Sequence, residues 1–295
     1  MDPDFFRHRR WAWRSGPCAA VGHRFEITSE PLHELRSLLG PLVTPLRAQN
    51  PPSVHGHYRI VRHRNPEVPY ALYYGGMRLT LATRPESLVR FLTWHINRQM
   101  VDKSSAEHVV LHAAAATRAG ITVMLPGDQE HGKTTTVAGL LREGYEYVTD
   151  EAVAIDPATL HITPFPKALS IDDGAWPLFP ECRPLVGTEG LRQWQVPAEQ
   201  LGSQSMRGAV SPPTVVVFPM FVAGSTTRCS QLSRGEAVRE LAQGTFHFTQ
   251  RPARNLATLV DLTRGATVAR LRIGSLDGAV RAIETLVSQR LMEKL

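Results

Sequence analysis

Cysteine is scarce in this chain and poorly placed for cross-links or metal. Cys18, Cys182 and Cys229 are odd in number, widely spaced and never form a CxxC pair. A disulfide framework and a zinc site are therefore excluded, and free thiols in a reducing cytoplasm are the expectation. No run of about 18 apolar residues exists, which excludes a membrane-spanning helix and makes a membrane partner unexpected. Residues 1–14 carry Asp2, Asp4 and arginines around Trp11 and Trp13, without the apolar core of a secretory signal. Internal repeats and low-complexity tracts are absent as well. What remains is an ordinary globular composition, 42% hydrophobic and 20% charged, long enough for one large α/β domain or two. The expectation is a cytoplasmic protein.

The net charge of +6 is spread along the chain apart from one cluster, Arg7-His8-Arg9-Arg10-Trp11-Ala12-Trp13-Arg14. Basic residues interleaved with aromatics can grip nucleic acid or an acidic peptide. The simpler reading is a solvated N-terminus. Nothing later in the chain looks like a nucleic-acid module, so no nucleic-acid partner is expected.

Short strand and helix signals alternate over residues 24–100. Strands are expected at 24–28 and 58–63, with a Pro- and Asn-rich loop at 45–53 between them. Residues 70–74 and 77–82 flank Gly75-Gly76, the signature of a tight hairpin. Pro85 opens a helix through about residue 100, with Leu88, Leu92, Ile96 and Met100 at four-residue spacing and Val89 and Phe91 widening the face. The polar stretch 101–107 reads as a domain boundary. The chain thus divides into a smaller α+β domain, 1–104, and a larger domain, 105–295.

In the second half, 109–115 reads as a buried strand turned by Arg118-Ala119-Gly120 into another at 121–125. A helix with Val137, Leu140 and Leu141 on its apolar face follows, stopped by Gly144. Further strands are expected at 145–148, 152–155, 214–222, 228–232, 256–262 and 268–273, and helices at 235–241 and 275–291. Residues 177–213, rich in Pro, Gly and Gln, read as a long loop or lid. The fold class is α/β with a mixed sheet.

Between the strand at 121–125 and its helix lies Gly127-Asp128-Gln129-Glu130-His131-Gly132-Lys133-Thr134, a Walker-A phosphate loop. Its glycines let successive backbone N–H groups turn onto phosphate oxygens. Lys133 reaches the terminal phosphates and the Thr134 hydroxyl ligates magnesium. The helix, with Thr135 in its first turn, points its positive end at the anion. ATP with magnesium is the expected ligand pair. Gln129, Glu130 and His131 are bulkier than usual for such a loop, and Glu130 must point away from the phosphates or it would repel them.

Asp150-Glu151 ends a short strand sixteen residues after Thr134, read as the strand adjacent to the one that leads into the loop. One carboxylate there can hold magnesium and the other can take a proton from an attacking hydroxyl. His112, fifteen residues before Gly127, is a near-phosphate candidate, against the alternative of a satisfied core histidine. Lys167, after Pro164-Phe165-Pro166, is either a contact to a phosphate or the acceptor or a solvated loop residue.

Together, His-Ala-Ala-Ala-Ala at 112–116, the loop at 127–134 and Asp150-Glu151 resemble the catalytic domain of HPr kinase/phosphorylase, a bacterial serine kinase with a PEP-carboxykinase-like nucleotide fold. Carried over by position, the resemblance implies that His112, Lys133 and Thr134 surround the triphosphate and metal. Asp150-Glu151 would then supply a magnesium contact and the base. Residues 251–257, Arg-Pro-Ala-Arg-Asn-Leu-Ala, are similar to the family's Pro-Gly-Arg-Asn-Leu-Ala, with Ala253 in place of glycine; this puts Arg254 at the nucleotide. The likeness covers about 107–170, is faint over 250–273 and is absent before 105.

Two departures bear on activity. Glu151 stands where the bifunctional enzymes have aspartate, and one methylene moves a base by about 1 Å. The family's Ile-Arg-Gly-Leu-Gly signature, linked to phosphorylase activity, is replaced by Pro164-Phe165-Pro166-Lys167. The expectation is a kinase without phosphorylase activity, like the diverged relatives found beside peptide natural-product genes, some of which phosphorylate lasso-peptide precursors on serine. A peptide or small protein is the implied substrate and a homo-oligomer the implied assembly. A small-molecule kinase on the same fold and a non-catalytic nucleotide-responsive module remain open at this point.

Overall fold

The computed structural model describes residues 6–48, 53–183 and 192–293, and the chain divides into two compact units, Met1–Lys103 and Ser104–Leu295. Among the described residues, no helix is long and apolar enough to cross a membrane, and all three cysteines are free thiols.

Among its described residues the first unit is a six-stranded sheet with two α-helices. Its strands are β1 (Trp13–Arg14), β2 (Cys18–Ala20), β3 (His23–Ser29), β4 (Gly56–Arg62), β5 (Tyr70–Tyr74) and β6 (Met77–Ala82), in the order β1-β3-β4-β5-β6 with β2 also on β3. Strict alternation of buried and half-buried residues along β3 puts one side of the sheet in the core. β3 and β4 are parallel, so the chain must cross over between them. It does so through α1 (His33–Val43), buried at Leu35, Leu39, Leu42 and Val43. This helix is not announced by the sequence pattern, because Pro41 interrupts it. Gly75 and Gly76 both adopt positive φ (55° and 93°), the backbone of a two-residue hairpin turn that bulkier residues would strain.

α2 (Pro85–Ser104) buries Leu88, Leu92, Ile96 and Met100, but runs a turn beyond the expected end near residue 100. Val101 is also buried and extends the apolar face. The Arg7–Arg14 cluster is likewise not a solvated tail. β1 pairs with Thr28 and Ser29, Arg9 ion-pairs with Glu30 at 2.8 Å, and Phe6 packs edge-on against Tyr73.

The second unit is a three-layer α/β structure with several mixed sheets. Its strands are β7 (Val109–Leu111), β8 (Ala113–Arg118), β9 (Ile121–Pro126), β10 (Glu146–Thr149), β11 (Val153–Ile155), β12 (Ile162–Thr163), β13 (Leu169–Asp172), β14 (Gln193–Val196), β15 (Pro213–Phe221), β16 (Arg228–Gln231) and β17 (Thr267–Ile273). The main sheet runs β10-β8-β9-β15-β17-β16, with β9, β15 and β17 mutually parallel and the others antiparallel. On one face lie α3 (Lys133–Arg142) and α6 (Leu276–Met292), packed on Ala114, Ala116, Val123, Val215 and Leu271. On the other lie α4 (Arg234–Gln243) and α5 (Pro252–Gly265), packed on Ala113, Ala115, Met124, Val216 and Val268. Successive β8 alanines thus serve opposite layers, as the pleat requires. α3 and α6 approach closely at Gly139, where a Cβ would lie 2.7 Å from Leu276.

Three expectations are corrected here. Residues 256–262 are helical: Asn255, Thr258, Leu259 and Leu262 are the buried face of α5, and Pro252 sits in the first turn, where its missing N–H costs nothing. The strand expected over 109–115 is two strands in different sheets, since β7 pairs with β11 and β8 with β9 and β10. Finally, the stretch expected as a loop or lid at 177–213 is partly core. Phe179, Cys182, Trp194, Val196 and Leu201 are buried, and β14 pairs with β13; residues 184–191 lie outside the described part.

Candidate active site

β9 ends at Pro126 in the middle of the main sheet, and the chain turns immediately through the phosphate loop into α3. Gly127 and Gly132 adopt φ of 152° and 87°, values open to glycine and strained for other residues. Gly132 is the N-cap of α3 and makes no side-chain capping bond. The first N–H groups of the helix are therefore left for an anion. Glu130 is also left-handed, at φ 64°, and together with Asp128 and Gln129 it is exposed at the loop tip. This is the sense in which the bulky stretch is accommodated: these side chains stand outside the loop. His131 folds back beside Gly127, its Nδ1 3.4 Å from where a Cβ there would be. Thr135 is half-buried in the first turn of α3.

The histidine reaches the loop because of strand register. β8 pairs with β10 up to Ala115↔Thr149, and β7 pairs with β11 from Leu111↔Val153. Residues 112–114 therefore face 150–152 at the step where the chain passes from one sheet to the other. His112 N–H donates to the Gly244 carbonyl, and the His112 carbonyl accepts from Gly127 N–H. The acidic pair is consequently not on the strand next to β9, as expected from sequence; β8 lies between, and His112 fills the gap.

The His112 ring has a determined tautomer. Nδ1 lies 3.1 Å from the Glu151 carbonyl, which can only accept, so Nδ1 carries the hydrogen. Nε2 is then an acceptor, 3.1 Å from the Lys133 ammonium. Burial first, and Lys133 second, push the imidazole pKa below its ordinary value, which keeps the ring neutral and able to accept. Lys133 is buried and also donates to the Asp128 carbonyl. Burial lowers its own pKa, while Glu151, Asp128 and Asp150 oppose the shift.

The two carboxylates differ sharply. Asp150 is 4% exposed and accepts from four donors. Oδ1 accepts from the Tyr147 hydroxyl at 2.8 Å and Lys167 Nζ at 2.7 Å, and Oδ2 from Ser170 N–H at 3.0 Å and Thr134 Oγ1 at 3.4 Å. Lys167 is therefore not a solvated loop residue. It is 1% exposed, and its ammonium also reaches the Ala168 carbonyl, the Ser170 hydroxyl and, at 3.9 Å, Glu151. Glu151 keeps a third of its side chain exposed. Burial and the neighbouring Asp150 raise its pKa, against Lys167 and Lys133, which lower it. The Thr149 hydroxyl accepts the N–H groups of Glu151 and Ala152 and so shapes the turn that presents the pair.

The hydroxyl of Thr134 and Oδ2 of Asp150, both hard oxygen donors, suit magnesium, which takes few protein ligands and keeps its waters. The bonds of Arg254 do not go to the loop. Its guanidinium bonds the carbonyls of Ser105, Ala106 and His108 and the Asn255 side chain, none of which belongs to the loop. Sequence reading passed over Tyr147, Thr149 and Ser170, which carry no motif. It also passed over Met220 and Phe221 at the end of β15, exposed by 37% and 53%, with Phe221 Cβ 3.7 Å from the position of a Cβ on Gly132.

No family model matches the chain, and no curated protein does. Among solved structures it is similar to the Hpr(Ser) kinase/phosphatase from Coxiella burnetii, at 13% identity over 63% of this chain and 97% of that one, with a TM-score of 0.30. A likeness that low carries no functional inference.

Proposed function

We propose that this chain is an ATP-dependent kinase that phosphorylates a hydroxyl, with serine favoured, on a peptide, and that the peptide is the precursor of a ribosomal natural product of the lasso type. The observation that carries the proposal is the convergence of loop, lysine, histidine and two unlike carboxylates on one end of the main sheet. A phosphate loop alone serves many reactions. Here Lys133 is aimed by a neutral His112, and beside it stands a carboxylate that is partly open and raised in pKa, as a general base requires.

The role of each residue follows from its surroundings. Backbone N–H groups at 127–134 and the Lys133 ammonium hold the triphosphate. Thr134 and Asp150 would hold magnesium, which screens phosphate charge when bound. Glu151 accepts the proton of the acceptor hydroxyl as that oxygen bonds to the γ-phosphorus. The bond from phosphorus to the β-phosphate oxygen breaks, and ADP leaves. Asp150 is a poor base, because Tyr147 and Lys167 engage Oδ1, and Oδ2, which also accepts from Ser170 N–H, would turn to the metal. The reverse, phosphorylase reaction is not part of the proposal. The segment that replaces the family's phosphorylase signature buries Phe165 and commits Lys167 to Asp150, so Lys167 is not free for inorganic phosphate.

Mass spectrometry of candidate peptides after incubation with ATP and magnesium tests the reading. One phosphate increment on a serine, absent with Lys133→Ala, is expected. Phosphorylation of a metabolite but of no peptide would reassign the acceptor. No product of either kind, with nucleotide still bound, would favour a non-catalytic module. Pyrophosphate released from phosphoserine peptide and phosphate would contradict the kinase-only assignment.

A further inference from the structure

Charge is divided unevenly between the two units. Residues 1–103 hold fifteen Arg and Lys against eight Asp and Glu, a net +7, and residues 104–295 hold eighteen against nineteen, a net −1. The whole positive excess therefore sits in the unit without a nucleotide motif. Within that unit, β6 is the edge strand of the sheet. An edge strand presents unpaired backbone N–H and C=O groups to whatever lies beside it.

Along β6 runs a groove of about 530 Å³, walled on one side by Thr80, Leu81 and Thr83 and on the other by Arg90, Phe91 and Trp94 of α2. Trp94 neighbours both Phe91, three residues before it, and Arg90, four before it, on the helix surface. Trp94 is 55% exposed and its ring packs against Phe91 at 5.3 Å. An open tryptophan is costly unless something covers it, and tryptophan and arginine are the residues that most often dominate binding surfaces. Among the described residues the groove is lined by one charged side chain, Arg90, and by no acid.

We infer that this groove binds an extended segment of the acceptor peptide as an added strand on β6. An apolar side chain of that segment covers Trp94 and Phe91, and a carboxylate meets Arg90. Backbone pairing supplies affinity without regard to sequence, and the two side-chain contacts supply selectivity, the usual division in strand addition. The unit's positive charge attracts an acidic segment from a distance. The inference rests on the peptide-kinase reading, since it supplies the means by which a peptide is held apart from its phosphorylated residue.

The test uses the full chain without nucleotide and short fluorescein-labelled strand-forming peptides that alternate apolar and polar residues. Three forms are compared: aspartate at the polar positions, lysine there instead, and the aspartate form N-methylated at alternate backbone amides. The aspartate form alone is expected to bind. Trp94→Ala and Arg90→Glu are each expected to weaken it roughly tenfold or more, and Trp94→Phe to restore most of the loss. Thermal melts confirm that each exposed-site variant is folded. Equal binding by all variants, equal binding by the N-methylated form, or no binding by any form overturns the inference. So does a shift in sedimentation of the peptide-free chain on Trp94→Ala, which would make the groove a contact between two copies. Peptide binding without phosphorylation defeats the kinase reading alone, and phosphorylation that Trp94→Ala and Arg90→Glu leave unchanged defeats this inference alone.

Discussion

Replacing Lys167 by Met would remove the cation buried against the acidic pair while keeping most of its side-chain volume. Its ammonium lies 2.7 Å from Asp150, and both side chains are 1% exposed. Breaking a buried pair from one side costs about 3–5 kcal/mol, because the remaining charge is left without compensation. Asp150 keeps three other donors, Tyr147, Ser170 and Thr134, which places the loss near 3 kcal/mol, the lower end of that range. In a unit of this size that lowers Tm by about 6–12 °C. Lys167 also opposes the rise in Glu151 pKa, so its loss moves that pKa further up. The assay is chemical denaturation and thermal melting of Lys167→Met, Asp150→Asn and the double variant. Neutralising Asp150 removes the orphaned charge, so the double variant should be more stable than Lys167→Met alone. A Lys167→Met protein of wild-type stability with a raised KM for ATP would refute the structural role and return Lys167 to the phosphates.

Glu151 and His112 set the pH behaviour. A base must be ionised to act, and the Glu151 pKa is raised above its ordinary 4.5, so the acid limb of the kcat profile should lie above that value. His112 is lowered from 6.5, so it stays neutral on the plateau and adds no limb above 6.5. A limb above 6.5 that disappears in His112→Gln would reverse these assignments. The same shift has a stability consequence. A carboxyl whose folded pKa is raised favours the folded state fully below 4.5, and that contribution is lost as pH rises through the folded value. Glu151→Gln should therefore raise Tm at neutral pH, and a lower Tm there would mean that the ionised form is favoured. Glu130→Gly relieves left-handed strain of about 1 kcal/mol but adds unfolded-state freedom of about 0.5–1 kcal/mol, leaving Tm nearly unchanged. Removing its charge from the loop tip should tighten ATP binding roughly threefold by calorimetry, and weaker binding would show that Glu130 assists the nucleotide.

Elements written in local residue chemistry were readable from sequence. The phosphate loop is a contiguous set of glycines, lysine and threonine, and Gly75-Gly76 fixes its own turn. Gly144 was legible for the same reason: its φ of 81° lets the chain cap the last carbonyls of α3, Gly144 N–H donating to Leu141 and Tyr145 N–H to Leu140. Features that depend on distant partners were not. The break at His112 is invisible in an apolar run buried on both sides, because only the pairings with β10 and β11 reveal it. α5 reads as a strand in sequence because polar Asn255 and Thr258 share its buried face with Leu259 and Leu262, which hides the helical period. Phe179 and Trp194 turn a Pro-rich stretch into core. Lys167 did carry a signal: a lysine between Phe165 and Ala168-Leu169 has apolar neighbours on both sides, and a buried lysine needs a carboxylate. Tyr147 and Ser170 carried none.

The central claim is that Lys133 and the loop hold the nucleotide while Glu151 takes the acceptor's proton. Its most direct test measures ATP affinity and phosphoryl transfer together, with magnesium, in wild type and Glu151→Gln. The account predicts nearly unchanged affinity in Glu151→Gln and transfer reduced by on the order of 10²–10⁴. Transfer at the wild-type rate in Glu151→Gln, with the nucleotide bound as tightly, would contradict it.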